Sequence, residues 1–131
     1  SSVGLRLYNV YGPNQKKNKK SEIFYGYQTR DFIFIEDVIE IILKISKKIK
    51  NKKSFHKCFN VCTGRSVTIL DLFRKISKNF NKKPYFQIKP ISKSDPLESK
   101  GSNYQLRKFL NIKNNFFTKL DKGIKKTIQK T

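Results

Sequence analysis

Along this chain, apolar residues switch between the spacing of strands and the spacing of helices. The run Val3–Asn9 alternates and is rich in β-forming residues, which predicts a strand. Tyr11-Gly12-Pro13-Asn14 is a turn signal, and Lys16–Lys20 reads as a solvated basic loop. Asp31–Ile35 is a short apolar strand. A helix follows from near Glu36, with acids in its first turn that suit the positive end of the helix dipole. Its apolar positions Val38, Ile41, Ile42, Ile45 and Ile49 keep helical spacing, and Lys47-Lys48 close it before the polar Asn51–Ser54 linker. Phe55–Val61 is a second long strand, ended by Thr63-Gly64. Thr68 followed by Asp71 has the form of an N-terminal capping box, and Ile69, Leu72, Phe73 and Ile76 lie on one face of the helix it opens. Tyr85–Ile91 alternates as a strand before the Ser92–Pro96 turn. Ser102 with Gln105 starts a helix through Leu110, and Thr118 starts a last one through Ile128.

Strands that alternate with helices argue for α/β architecture with parallel pairing. The chain has 131 residues and so forms at most one ordinary domain. It supplies fewer strands than a complete doubly wound sheet needs. It carries no initiator Met and opens in a strand-like run, which leads us to expect the later part of a larger domain rather than a small open fold. No signal-peptide pattern is visible. The longest apolar stretch, Phe32–Ile45, is interrupted by Glu36, Asp37, Glu40 and Lys44, whereas a membrane-spanning helix needs roughly 20 nearly uncharged residues.

Charge complicates this picture. There are 30 Lys+Arg against 9 Asp+Glu, a net charge of +21, which by itself suggests a polyanion-binding surface. Yet arginine occurs only at positions 6, 30, 65, 74 and 107, alanine is absent, and Lys, Asn, Ile, Phe and Tyr are abundant. That is the signature of an A/T-rich coding sequence, which accounts for much of the lysine without a partner. The charge still favours weak, salt-sensitive binding to phosphates.

Two cysteines, Cys58 and Cys62, fit a reducing compartment. On a strand, His56, Cys58, Asn60 and Cys62 would share one face, but spread over about 20 Å. No second Cys or His pair completes a tetrahedral zinc shell, so packing as small apolar groups is expected and a metal is not.

Among so many lysines, Arg30 in the run Gln28–Val38 stands out. Its planar fork of donors suits a diphosphate better than a flexible lysine does. The competing reading is an ion pair with Asp31 or Asp37. In α/β sheets, ligands bind beyond the carboxyl ends of strands, where Asn9 and Cys62-Thr63-Gly64 lie.

These residues carry a family resemblance. Leu5-Arg6-Leu7-Tyr8-Asn9-Val10-Tyr11-Gly12-Pro13 resembles the "LRYFNVYGP" run of the NAD-dependent epimerase/dehydratase family, the extended short-chain dehydrogenases that act on nucleotide sugars. Gln28–Val38 is similar to its "QTRDFIFVDDV" segment, and Phe59–Gly64 with Ser66 and Asp71-Leu72 to "NVGTG…S…EL". Asp95–Ser99 resembles the stretch after its "RPGD" turn, and Leu120–Thr127 its closing "LEEGLKKTI" helix. The five matches occur in order over nearly the whole chain.

The resemblance implies roles. Tyr8 matches a residue beside the nicotinamide end of NAD. Asn9 matches the asparagine that bonds the substrate diphosphate, and Arg30 the arginine that clamps it. Ile23 and Phe24 match the lining of the nucleobase pocket, and Asp95 the aspartate that helps to hold the nucleotide. The departures are equally informative. The glycine-rich NAD loop is absent, as is the catalytic Ser/Thr with Tyr-x-x-x-Lys that precedes the "LRYFN" run. Tyr85-x-x-x-Lys89 and Tyr104-x-x-x-Lys108 have that spacing but lie downstream of the right place, so no catalytic residue is assigned. The family carries a longer segment, with a substrate-domain helix, where this chain has Lys16–Lys20. Its "RPGD" arginine is Ser92 here, with Lys93 beside it, and its "NVGTG" glycine is Cys62.

The expected fold is therefore α/β: the late part of a doubly wound Rossmann-type parallel sheet plus the small C-terminal substrate-binding lobe, with residues 1–131 as one portion of a larger domain. The expected function is the substrate-binding part of an NAD-dependent nucleotide-sugar epimerase or dehydratase, inactive alone, and the "NVYGP" and "GTGRS" forms lean towards a UDP-sugar 4-epimerase. The parent enzyme would be a cytoplasmic homodimer without membrane or specific nucleic-acid partners. A basic nucleic-acid-binding module and a degenerate fragment without activity are the alternatives.

Overall fold

The extended chain from Ser2 to Tyr11 serves two sheets. Strand β1 (Ser2–Leu7) pairs in parallel with β5 (His56–Val61), Leu5 opposite Phe59 and Leu7 opposite Val61. Tyr8 still donates its N–H to the Val61 carbonyl at 3.2 Å. Beyond it, β2 (Asn9–Tyr11) turns to a different partner, β4 (Thr29–Phe34), again in parallel. The single strand expected over Val3–Asn9 is thus divided at Tyr8, because its two ends take their hydrogen bonds from different neighbours. The first half of β4 also pairs antiparallel with β6 (Ser66–Thr68), a short strand that hydrophobic periodicity did not flag. A third pair, β3 (Glu22–Phe24) with β7 (Gln87–Lys89), is parallel. The computed structural model describes residues 1–14, 22–24, 26–79, 87–90 and 92–129, so the expected Lys16–Lys20 loop and the Tyr85 and Ile91 ends of the expected strand lie outside it.

Helices cover these sheets. Helix α1 (Ile35–Ile49) buries Val38, Ile41 and Ile45, and Ile49 packs partly against the same core. Ile42, expected on that face, is 46% exposed, so the buried stripe is narrower than the apolar pattern suggested. Helix α2 (Ile69–Ser77) is capped as expected: Thr68 Oγ1 accepts from the Asp71 N–H at 3.0 Å. Helix α3 (Tyr104–Leu110) begins after Asn103 rather than at Ser102, and Leu106 anchors it in the core. Helix α4 (Leu120–Gln129) starts two residues beyond Thr118. The core gathers Ile33 of β4, Phe59 and Val61 of β5, the α1 stripe, Leu106 and Phe117. Phe109 stacks on Phe55 and Phe59 with centroids 5.3 and 4.9 Å apart.

Thr118 is drawn out of α4 by an acid on α1. Asp37 is buried, and its two carboxylate oxygens accept from the Thr118 N–H at 2.8 Å and from the Thr118 hydroxyl at 2.7 Å. A buried carboxylate that keeps its donors costs little, and one that loses them costs their full desolvation. Thr118→Val removes one of the two donors. It should lower unfolding free energy by about 1–2 kcal/mol in denaturant titration. Asp37→Ala orphans both Thr118 groups and should cost more. Equal costs for the two substitutions would show that the carboxylate does not join α1 to α4.

Candidate functional site

The division of the strand line at Tyr8 opens a crevice. One chain end follows β5 and the other follows β4, and side chains at the split face the gap between them. This is the place where α/β sheets bind ligands, beyond the carboxyl end of a strand at a change of partner. A cleft of about 340 Å³ lies here, lined by Leu7, Tyr8, Asn9, Arg30, Pro96 and Ser99. Tyr8, Asn9 and Arg30, three residues singled out in the sequence, therefore share one cavity.

Each is held from the protein side. Tyr8 is half-buried and packs on the edge of Gly101, where an added Cβ would come within 2.5 Å of the Tyr8 ring and 2.7 Å of Cys62 Sγ. Only glycine permits that approach. Asn9 donates from its amide to the Asp31 carbonyl at 3.2 Å, which fixes the side chain while its amide oxygen makes no hydrogen bond among the described residues. Arg30 is the most constrained. One terminal nitrogen donates to the carbonyls of Thr29 at 2.8 Å and Pro96 at 2.9 Å, and the other pairs with the Asp95 carboxylate. Its side chain is 14% exposed.

Asp95, another expected residue, thus reaches the site through Arg30. The segment around it is tied to β4 by backbone bonds, Thr29 N–H to the Leu97 carbonyl at 2.8 Å and Ser99 N–H to the Thr29 carbonyl at 3.1 Å. Ser66 adds a hydroxyl bond to the Ser99 carbonyl at 2.9 Å. The side chains of Ile23 and Phe24 lie outside the described residues. The ion pair of Arg30 with Asp31 or Asp37 is not what forms, since both acids are engaged elsewhere.

Asp31 is the residue that sequence reasoning missed. It is fully buried at the head of an apolar strand. One carboxylate oxygen accepts from the Thr63 N–H at 2.9 Å and the Thr63 hydroxyl at 2.8 Å, and the other from the Gly64 N–H at 2.7 Å. The turn that presents these donors holds Gly64 at φ +75°, a left-handed conformation natural to glycine. The carboxylate thereby ties β4 to the end of β5. An available signal was its position: an acid opening an apolar run in a chain with only 9 acids.

The two cysteines behave differently. Cys58 is exposed, whereas Cys62 is fully buried between Tyr8, Gly101 and the Asp31 network. Burial, and secondarily the Asp31 charge, push the Cys62 thiol up to about 11. His56 bonds to Ser2 Oγ at 2.8 Å. Among the described residues, no group of three or more His, Cys, Asp or Glu side chains is placed to hold a metal ion.

No family model matches the chain. An uncharacterised protein of Methanocaldococcus jannaschii is 28% identical over 125 residues, covering 85% of this chain and 37% of that protein. A CDP-abequose synthase of Salmonella muenchen is 33% identical over 89 residues, covering 58% of this chain and 30% of that one. In fold, the chain superposes with a TM-score of 0.82 on the UDP-glucuronic acid 4-epimerase of Bacillus cereus, solved with UDP-glucuronic acid and NAD, at 21% identity over 96% of this chain and 43% of that one. The chain is thus similar to proteins of the extended short-chain dehydrogenase family. The α/β fold with parallel pairing is that of the Rossmann-type epimerases. The chain spans less than half the length of these relatives.

Two outcomes test the site's construction. Asp31→Ala leaves two backbone N–H groups and a hydroxyl without their acceptor, and should destabilise the fold by roughly 2–4 kcal/mol. A loss under 1 kcal/mol in denaturant titration would mean that β4 and β5 are joined by other contacts. At pH 8 the Cys62 thiol is neutral as well as buried, so a thiol reagent should label one cysteine of the native protein quickly, Cys58, and the second only after unfolding. Rapid labelling of both would contradict the packing around Tyr8 and Gly101.

Proposed function

We propose that residues 1–131 form the C-terminal, substrate-binding part of an NAD-dependent nucleotide-sugar epimerase or dehydratase, with a UDP-sugar 4-epimerase as the nearest activity. The observation that carries this reading is the convergence of Tyr8, Asn9 and Arg30 on one cleft at the split between two parallel strand pairs. The chemistry of the three fits the ligand. The Arg30 guanidinium offers charge-assisted donors to a diphosphate, the Asn9 amide orients it, and the Tyr8 ring provides a flat apolar wall.

The cofactor would be NAD, which in such enzymes accepts hydride from a sugar hydroxyl and returns it. By the family resemblance Tyr8 would lie beside the nicotinamide end, and the glycine-rich loop that would hold the rest of the cofactor is not among residues 1–131. Oxidation also needs a group to take the hydroxyl proton. The acid/base Tyr-x-x-x-Lys is expected ahead of β1, so the 131-residue chain should bind a nucleotide diphosphate without turning a sugar over. Neither Asp31 nor Cys62 offers a substitute: the first is enclosed by its donors, and the second is held neutral. Residence in the cytoplasm and a homodimeric parent complete the reading. Among the described residues, no helix is long and apolar enough to cross a membrane.

Titration with UDP should saturate with simple stoichiometry, and Arg30→Ala should weaken binding by about tenfold or more. A mixed-sequence oligonucleotide that binds at moderate salt irrespective of Arg30 would favour the nucleic-acid module instead. Turnover of a UDP-sugar by the purified 131-residue chain would refute the assignment of catalysis to other segments.

A further inference from the structure

We infer that the protein carries a second anion site, built around Arg107 and Arg65, that takes a small phosphate-bearing ligand. It occupies a cleft of about 590 Å³ beyond the carboxyl end of β5, lined among others by Arg65, Lys100, Asn103, Arg107 and Lys119. Among the described residues, no aspartate or glutamate lines it. The backbone from Ser99 to Gly101 separates it from the first cleft: Ser99 faces that cavity, and Lys100 and Gly101 face this one.

Lysine density alone would carry little weight in so basic a chain. The arginines are what distinguish this cleft, since two of the five line it. Arg107 is also held in a particular way. Its Nε donates to Asn103 Oδ1 at 2.9 Å, and Asn103, itself 6% exposed, donates from Nδ2 to the Cys62 carbonyl at 3.0 Å. The guanidinium is therefore anchored through Nε on a buried amide. Its two terminal nitrogens make no hydrogen bond or ion pair among the described residues. That is the geometry for a forked contact with phosphate oxygens, with most of the ordering cost already met by the fold. Arg65 stands across a turn fixed by Asp31, its only side-chain bond among the described residues a long one of 3.4 Å to the Asn114 carbonyl. The nearest acids are already engaged: Asp31, behind Thr63-Gly64, by its donors, and Asp121, in an adjoining cavity that Arg65 and Lys119 also line, by Lys75. The four cations of this cleft are left to an anion. The volume suits a ligand of nucleotide or sugar-phosphate size, for which binding cavities run to about 300–1,000 Å³.

The inference stands apart from the reading of the first cleft, and calorimetric titration of the full chain with inorganic pyrophosphate separates the two. At about 50 mM and about 200 mM KCl, the wild type should bind two equivalents. Arg30→Ala should remove one, and Arg107→Gln should weaken the other by about tenfold or more. Arg65→Gln, on an exposed side chain, should weaken the same site several-fold and serves if Arg107→Gln fails to fold. Lys47→Gln, on the far part of α1, should change neither. One equivalent that disappears with Arg107→Gln supports the second site and removes the first. One equivalent that depends on Arg30 alone overturns the second site. So does an equal effect of Lys47→Gln, which would indicate diffuse charge, or Arg107-dependent binding of an oligonucleotide without binding of pyrophosphate.

Discussion

The Asp31 carboxylate is the contact on which the rest of the molecule depends. Among the described residues, the β1–β5 pair and the β2–β4–β6 group share no ladder of backbone bonds across the point where the strand line divides. Something other than a sheet must hold them in register, and Asp31 does so with three hydrogen bonds to Thr63 and Gly64. A carboxylate is suited to this task because it accepts several donors at once from two directions. Its burial would be prohibitive without them. The same residue's backbone carbonyl holds Asn9. One side chain and its own peptide thus set the spacing of the crevice and the pose of a residue that lines it.

From that constraint the two clefts follow. The turn at Thr63-Gly64, held by Asp31, brings Cys62 and Gly101 together beneath Tyr8. The segment through Ser99, Lys100 and Gly101 then has one path, along the edge of β4 and over the end of β5. It divides the space beyond the strands into two cavities, one lined by Arg30 and the other by Arg107. Each arginine is positioned by groups that make no use of its full donor set. Arg30 spends three bonds on Thr29, Pro96 and Asp95, and Arg107 spends Nε on Asn103. A guanidinium has five N–H donors, so both retain some for a ligand.

Much of this was legible in the sequence. The α1 helix, the β5 strand and the Thr68 cap were readable because each expresses a local rule: a hydrophobic period or a side chain that satisfies an orphan N–H three residues on. Arg30 was readable from the chemistry of its guanidinium and Asn9 from its place at a strand end, whereas Tyr8 was readable only through the family resemblance. What escaped was set by contacts distant in the chain. The break at Tyr8 arises from a change of partner, which alternation within Val3–Asn9 cannot express. Thr118 looked like a helix start, but it serves Asp37, 81 residues away. Asp31 looked like a partner for its neighbour Arg30, but it is claimed by a turn 32 residues on.

The pairing of Arg30 with Asp95 bears on how the first cleft works. A guanidinium as enclosed as this one would be costly to bury without a counter-ion. Asp95 meets that cost before any ligand arrives, and its loop is stitched to β4 so that the carboxylate is delivered to the right place. A diphosphate bound as proposed would therefore not meet a bare cation. It would meet an ion pair whose net charge is near zero, within a protein whose surface is strongly positive. Long-range attraction comes from the lysines and is screened by salt. Selectivity at short range must come from the directed donors that Arg30 and Asn9 have left over. On the proposed reading the two levels of electrostatics are separable for that reason: the lysines would set how fast an anion approaches, and the two fixed side chains would decide which anion stays.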